Sequence, residues 1–165
     1  MRALTLLCAA IACAAAGGAA RAAATDAYEQ LAALAGEWQA DLPGFGKLTN
    51  SIRVVSNGTA VEETIGTPAD NETSLYTRDG QRLLLTHFCA LTAPGHIARL
   101  ATQPLQGTPV RLEFNFVAAT NLPRPDAAHM RRVLITLADH DHFSEQWTKS
   151  ENGKDTVFEL QFVRR

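Results

Sequence analysis

The stretch LAALAGEWQA, residues 31–40, separates a helical pattern from a β-strand pattern and so decides the fold. Before it, Asp26 and Glu29 have the spacing of a capping box, which predicts a helix start. Gly36 is expected to end that helix at the C′ position. Trp38 then opens the first strand. The apolar residues of the predicted helix share one face: Tyr28, Leu31 and Leu34.

After Trp38 almost the whole chain has the pattern of short β-strands joined by hairpin turns. Asn57-Gly58, Asp79-Gly80 and Asn152-Gly153 supply the positive φ angles of tight turns. So many short strands predict an all-β fold, an antiparallel meander of eight to ten strands that closes into a barrel. The predicted strands are 47–55, 60–65, 74–77, 82–89, alternating segments near 111–116 and 133–138, 143–149 and 156–163.

One segment interrupts this pattern. Residues 119–126 contain two prolines, which cannot serve a central strand, so we predict a long loop across the barrel mouth. Residues 127–132 have the composition of one helical turn.

Residues 1–24 have the composition of a secretory signal peptide, with Arg2, an apolar run and the small-x-small pattern Ala20-Arg21-Ala22. A lipoprotein anchor at Cys13 is less favoured, because that signal usually needs a large aliphatic residue three positions earlier. Cleavage would leave 141 residues, enough for one domain over 25–165. The expected location is the periplasm or the extracellular medium, with no membrane span left.

Charge and cysteine content narrow the expected partners. The chain has 15 basic and 17 acidic residues, and cleavage would leave a net charge of about −4. That balance argues against nucleic acid. After cleavage Cys89 would be the only remaining cysteine, so no disulfide could form within the chain. We expect a monomer or weak dimer whose partner is a small molecule.

Gly36-Glu37-Trp38, placed after a short helix and before a long meander, resembles the Gly-x-Trp signature of the calycin superfamily, which includes lipocalins and nitrobindin-like barrels. The chain is similar to lipocalin-like proteins that bacteria secrete. The resemblance implies that Trp38 closes the barrel floor and that a late arginine, Arg164 or Arg165, packs across the indole. The lipocalin Thr-Asp-Tyr motif and the longer nitrobindin Gly-x-Trp-x-Gly-x-Gly are absent, so no haem or other cofactor is implied.

Three features carry the candidate chemistry. His87 and Cys89 share one face of a predicted strand, so both could meet in the interior, where a metal or an electrophilic ligand would find them. A packed core pair is the alternative. Glu63 and Glu145 alternate with apolar neighbours, which predicts inward carboxyl groups that pair with Arg53 or Arg99 or contact a ligand. His140 and His142, with two aspartates, could bind a metal at the surface.

The leading hypothesis is a barrel that binds a small, partly apolar molecule in its interior. No catalytic motif is present, and no catalytic or metal-binding residue is assigned. One alternative is an enzyme or metal-binding protein that uses His87, Cys89 and an inward glutamate. Another is a filled barrel with a structural role in the cell envelope. The predicted ligand-binding residues are Trp38, Glu63, His87, Cys89, Phe114, Phe116, His129 and Trp147.

Overall fold

The structure is a computed structural model, and it describes residues 26–42, 46–67, 70–90, 95–107 and 110–165. The predicted signal peptide, residues 1–24, lies outside the described residues. None of the helices in the described ranges is long and apolar enough to span a bilayer.

The described chain forms one short α-helix, a 3₁₀ turn at Ser56–Gly58 and ten strands, and every strand pairs with its neighbours in sequence. β1 also pairs with β10 in antiparallel fashion, which closes the barrel. The predicted antiparallel meander, its closure and its short N-terminal helix are therefore confirmed. The elements are α1 (Ala27–Ala32), β1 (Gly36–Leu42), β2 (Gly46–Val55), β3 (Ala60–Thr67), β4 (Asp70–Asp79), β5 (Arg82–Cys89), β6 (His96–Ala101), β7 (Arg111–Thr120), β8 (His129–Leu137), β9 (His142–Glu151) and β10 (Lys154–Arg164).

Helix α1 begins as predicted but ends for a different reason. Asp26 is the N-cap, and its carboxylate accepts a hydrogen bond from the Glu29 amide at 3.0 Å. The helix ends at Ala32 with Ala33 as C-cap, so Gly36 is not the C′ residue. Gly36 instead opens β1 at a φ of 145°, where a Cβ would lie 2.5 Å from Arg164 Nη1. The glycine makes room for the terminal arginine.

One end of the barrel is closed by Trp38, which is completely buried. Its indole Nε1 donates to the Leu34 carbonyl at 2.8 Å, and the Phe143 ring meets it edge-on at 4.7 Å. The Arg164 guanidinium lies 4.0 Å from the indole centroid and donates to the Ala35 carbonyl at 3.1 Å. The predicted arginine is therefore Arg164, the first of the two terminal arginines.

The connection between β7 and β8 is shorter than predicted. β7 continues to Thr120, and β8 begins at His129, so the helical turn predicted over 127–132 is wrong. A register shift between Met130 and Arg132 interrupts the two-residue period that identifies a strand. Because of this β-bulge, the alternation in the sequence did not predict that β8 begins at His129.

The remaining loop lies at the open end of the barrel. Asn121 Nδ2 donates to the Gly95 carbonyl at 2.7 Å, and the Asp126 carbonyl accepts from the Asn152 amide at 2.9 Å. These bonds join the loop to the turns on both sides of it. The predicted position at the barrel mouth agrees with these contacts.

Candidate functional site

The register of the β4–β5 hairpin builds the site. The tight turn pairs Asp79 with Arg82, and the same register places Thr73 opposite Phe88 and Ser74 opposite His87. One step further along, Glu72 comes beside Cys89 on the face that His87 shares. The result is a group of three side chains, called here the Glu-His-Cys cluster.

The Glu-His-Cys cluster is compact and almost fully enclosed. His87 Nε2 lies 3.3 Å from one Glu72 carboxylate oxygen, and Cys89 Sγ lies 3.4 Å from the other. The three potential ligand atoms all lie within 4.8 Å of one another. His87 and Cys89 are buried, whereas the Glu72 side chain is 20% exposed. Glu72 is thus the member that solvent can reach.

Glu72 is held as a carboxylate by its neighbours. Burial raises the pKa of this carboxyl group, but the nearby His87 imidazole lowers it, as do hydrogen bonds from the Ala90 amide and the Cys89 thiol. The balance leaves the pKa of Glu72 below its ordinary value. An ionised carboxylate therefore faces a buried imidazole and a buried thiol.

A chain of hydrogen bonds runs from the cluster into the middle of the barrel. His87 Nδ1 lies 3.0 Å from the Ser74 hydroxyl, and Ser74 also hydrogen-bonds Tyr76. The Tyr76 hydroxyl donates to one oxygen of Glu63 at 2.7 Å, and Asn50 Nδ2 donates to the other at 2.5 Å. All of these side chains are buried. The inward position predicted for Glu63 is confirmed.

Glu63 and Glu145 form a buried acid pair. Burial, and then the charge of Glu63 and a hydrogen bond to it, raise the pKa of Glu145 well above the ordinary value. Glu145 therefore keeps its proton and donates it to Glu63, while its own carbonyl oxygen accepts from Trp147 Nε1 at 2.8 Å. Burial and both glutamates also raise the pKa of Tyr76.

The arginine partners expected for these acids are wrong. Arg53 and Arg99 are both exposed, because each falls on the outer face of its strand. A neutral acid and neutral donors satisfy the inner carboxylate instead. This arrangement avoids the desolvation of a guanidinium group.

Above the acid pair, the open end contains a solvent-connected cavity of about 440 Å³. Trp147, which is 2% exposed, forms part of its lining, and Glu72 and Asp70 bring carboxylates to it. The apolar lining consists mainly of Leu42, Leu48, Ile65, Met130, Trp147, Phe158 and Leu160. We call this space the mouth cavity.

The predicted ligand-binding residues are distributed over several places. Trp147 lines the mouth cavity, and His87 and Cys89 lie behind Glu72. Glu63 and Phe114 are buried in the filled middle, where the Phe114 ring packs against Tyr76 at 5.5 Å. Trp38 belongs to the closed end, far along the barrel from the cavity.

Phe116 and His129 lie apart from the mouth cavity. Phe116 is 39% exposed, and its ring lies 5.0 Å from that of His129. Both line a separate groove of about 460 Å³ with Arg132 and Thr148. Bulges in β7 and β8 end the alternation that placed Phe116 with Leu112 and Phe114 in the interior. His129 Nδ1 donates to the Ala127 carbonyl at 2.8 Å, which is a loop contact.

His140 lies in the turn between β8 and β9, and His142 is the first residue of β9; both are exposed. His140 Nδ1 is 2.7 Å from Asp141, and His142 Nδ1 is 2.9 Å from Asp139. Each imidazole is thus paired with its own carboxylate. Within the described ranges, the Glu-His-Cys cluster is the one group of three metal-ligand side chains.

Sequence reasoning missed Glu72, Ser74, Tyr76 and Asn50. Glu72 could have been found, because the Asp79-Gly80 turn fixes the pairing of β4 with β5 and arithmetic then puts Glu72 opposite Cys89. The Asn50 contact crosses from β2 to β3 on a diagonal, which pairing arithmetic alone does not single out.

The chain matches no protein-family model, and no curated protein matches its sequence. The architecture itself is compatible with a calycin-like fold: a closed antiparallel barrel of ten strands, entered through a short helix and a Gly-x-Trp.

Proposed function

We propose that this chain is an exported, calycin-like barrel that binds a small, partly apolar molecule in its mouth cavity and catalyses no reaction. The observation that carries the proposal is the cavity of about 440 Å³ at one end of the barrel. Ligand pockets in proteins have volumes of about 300–1,000 Å³ and mostly apolar walls with a few polar groups.

The lining favours one kind of ligand. Leucine, isoleucine, methionine and aromatic side chains make the walls, so the body of the ligand is apolar. Asp70 and Glu72 are the acidic groups of the lining. A ligand that presents an amine or another hydrogen-bond donor to them satisfies both the walls and the charge.

Export and family are parts of the same proposal. Residues 1–24 support export by their signal-peptide composition. The calycin relationship is supported by Trp38 with Arg164 stacked on it at 4.0 Å, after a helix and at the start of a meander. We propose a monomer or weak dimer, in keeping with a barrel that closes on itself and leaves no sheet edge to pair with another chain.

The test is a titration with N-phenyl-1-naphthylamine, an apolar amine whose fluorescence rises in apolar surroundings. We expect saturable binding to the wild-type barrel. Leu48→Trp would fill the cavity and weaken binding about tenfold or more, which is about 1.4 kcal/mol. Val54→Trp is the matched control, because Val54 lies on the same strand but is 44% exposed and outside the cavity.

Equal binding by both variants, or no saturable binding by the wild type, would contradict the proposal. Native mass spectrometry of the protein isolated from its producing cells then identifies a ligand that co-purifies. The mature N-terminus measured in the same spectrum reports whether residues 1–24 have been removed.

A further inference from the structure

We propose that Glu72, His87 and Cys89 are three protein ligands of a zinc ion, with a fourth position that opens toward the mouth cavity. The assignment of the three protein ligands rests on the distances between their side chains and on the orientation of His87. The direction of the open position rests on the binding function proposed above.

The distances within the Glu-His-Cys cluster are close to those of a tetrahedral site. Zinc binds histidine nitrogen and carboxylate oxygen at about 2.0 Å and cysteine sulfur at about 2.3 Å. Tetrahedral angles then separate nitrogen from oxygen by about 3.3 Å and sulfur from oxygen by about 3.5 Å. His87 Nε2 lies 3.3 Å from one Glu72 oxygen, Cys89 Sγ lies 3.4 Å from the other, and all three ligand atoms lie within 4.8 Å of one another. A rotation of the Glu72 carboxylate that presents one oxygen to both neighbours, with a small approach of the side chains, would form the site.

The orientation of His87 is the second, independent observation. The imidazole is 1% exposed, and no hydrogen-bond partner is aligned with its Nε2, although a Glu72 oxygen is only 3.3 Å away. Two groups at that distance without a shared hydrogen bond have the arrangement of two ligands of one ion. An orphaned buried nitrogen otherwise costs free energy.

The other ring nitrogen of His87, Nδ1, has Ser74 as its hydrogen-bond partner. His87 Nδ1 lies 3.0 Å from the Ser74 hydroxyl, and with Nδ1 as donor to that oxygen the lone pair is on Nε2. Metal-bound histidines usually have such a partner on the nitrogen that does not bind the metal. Ser74 is thus a positioning residue for the metal-binding tautomer.

The ligand types favour zinc over other common cations. A thiolate and an imidazole are poor ligands for Mg²⁺ and Ca²⁺, which prefer oxygen. Zinc accepts sulfur, nitrogen and oxygen together, and catalytic or exchangeable zinc sites have three protein ligands and an open position. On binding, the Cys89 thiol proton leaves to solvent as the sulfur–zinc bond forms.

The open position is defined by Glu72. This residue belongs both to the cluster and to the lining of the mouth cavity, while His87 and Cys89 lie deeper. A donor atom of the bound molecule, or a water, can therefore complete the tetrahedron from the cavity side. The site would let the barrel hold a ligand by coordination as well as by apolar contact.

The test uses the metals alone. Metal-free full-length protein is dialysed against zinc buffered by a chelator and analysed by elemental mass spectrometry, and we expect about one zinc per chain. Replacement by Co²⁺ should give the visible bands of a tetrahedral site and the near-ultraviolet charge-transfer band of a thiolate ligand. No bound zinc, or a cobalt complex without the thiolate band, overturns the proposal.

Variants then assign the ligands. His87→Gln, Cys89→Ser and Glu72→Gln should each lower zinc affinity more than about 100-fold, since even outer partners contribute 10- to 100-fold. Of the three variants, Glu72→Gln is the least expected to disturb folding, because Glu72 is the most exposed of the three residues. Ser74→Ala should weaken zinc binding less and keep the thiolate band.

The matched control is His96→Gln. His96 is buried and pairs in register with Cys89 on the neighbouring strand, yet it is not part of the cluster. Zinc binding should survive this substitution, and an equal loss would overturn the three-ligand site. Leu48→Trp should keep zinc while it weakens N-phenyl-1-naphthylamine binding, so failure of the metal site and failure of the cavity are distinguished.

Discussion

The two ends of the barrel differ in how completely side chains fill them. At the closed end, Trp38 Nε1 and the Arg164 guanidinium both donate to backbone carbonyls, and Phe143 stacks on Phe162 with centroids 4.6 Å apart. At the open end, a cavity adjoins the Glu-His-Cys cluster, where His87 Nε2 has no aligned partner. The comparison teaches that side chains fill the floor, whereas at the mouth open space lies beside a buried nitrogen that has no aligned partner.

The buried acid pair, Glu63 and Glu145, separates these two ends. Its hydrogen bonds are fully enclosed like those of the floor, yet Tyr76 and Ser74 connect it to His87. Substitutions at the floor and in the acid pair therefore test whether the difference between the ends is one of stability alone.

The largest expected effect is that of Trp38→Ala. Removal of this completely buried indole should lower the free energy of unfolding by about 3–5 kcal/mol, because it leaves a cavity and removes the ring on which Arg164 packs. Urea denaturation followed by circular dichroism measures the change. Phe88→Ala, at a position that is 42% exposed, is the control and should change stability by less than about 0.5 kcal/mol.

The same Trp38→Ala protein sharpens the comparison between the ends. Zinc and N-phenyl-1-naphthylamine binding should be unchanged where the variant is folded, since the floor lies away from the mouth cavity. A loss of binding in proportion to the loss of stability would show that the two ends are not separable.

A somewhat smaller effect is expected for Glu63→Met. The substitution preserves the length of the side chain but leaves the Asn50 amide and the Tyr76 hydroxyl without their acceptor. Unfolding should become easier by about 2–4 kcal/mol, at about 1–3 kcal/mol for each unpaired buried donor. Urea midpoints measure this, and a stability equal to that of the wild type would mean that water replaces the carboxylate.

The smallest effect at acidic pH is expected for Glu145→Gln. The amide oxygen can still accept from Trp147, and the amide nitrogen can donate to Glu63 in place of the acid proton. At pH 5 the change in unfolding free energy should stay within about 0.5 kcal/mol.

The pH dependence of Glu145→Gln has a definite sign. Because the folded-state pKa of Glu145 is raised above its ordinary value of 4.5, the native protein holds a proton that the unfolded chain releases. The stability of the wild type therefore falls as the pH rises from 4.5 toward the raised pKa of the folded state. The variant has no such group and does not lose this stability. The urea midpoints of the two proteins should be similar at pH 5, and at pH 8 the midpoint of the variant should be the higher one. The same difference at both pH values would contradict a protonated Glu145.

The elements that sequence predicted well are those whose determinants are local. The N-cap at Asp26 needs only the amide three residues later, and the Asn-Gly and Asp-Gly turns need only positive φ angles. The bulges beside Phe116 and at Met130 were not predicted, because a bulge arises where two neighbouring strands must fit different partners. Gly36 was misinterpreted for a related reason, since its close neighbour is 128 positions away in sequence.

The candidate site was predicted in part. Alternation placed His87, Cys89, Glu63 and Glu145 on inner faces, where the structure finds them buried. The partners of these side chains depend on how the strands pair. The expected partner of Glu63 was an arginine, but its observed partners are Asn50, Tyr76 and the protonated carboxyl group of Glu145.

The sequence by itself determined that this protein is an antiparallel meander, with a capped helix in front and a tryptophan at its first strand. Helix caps, turns and period-two alternation involve residues within a few positions of one another, so the sequence encodes them directly. Only the tertiary structure decided that Glu72 joins His87 and Cys89, that Glu145 shares its proton with Glu63, and that space remains at one end. Each of these depends on burial and on register between strands, which exist only after the barrel has closed.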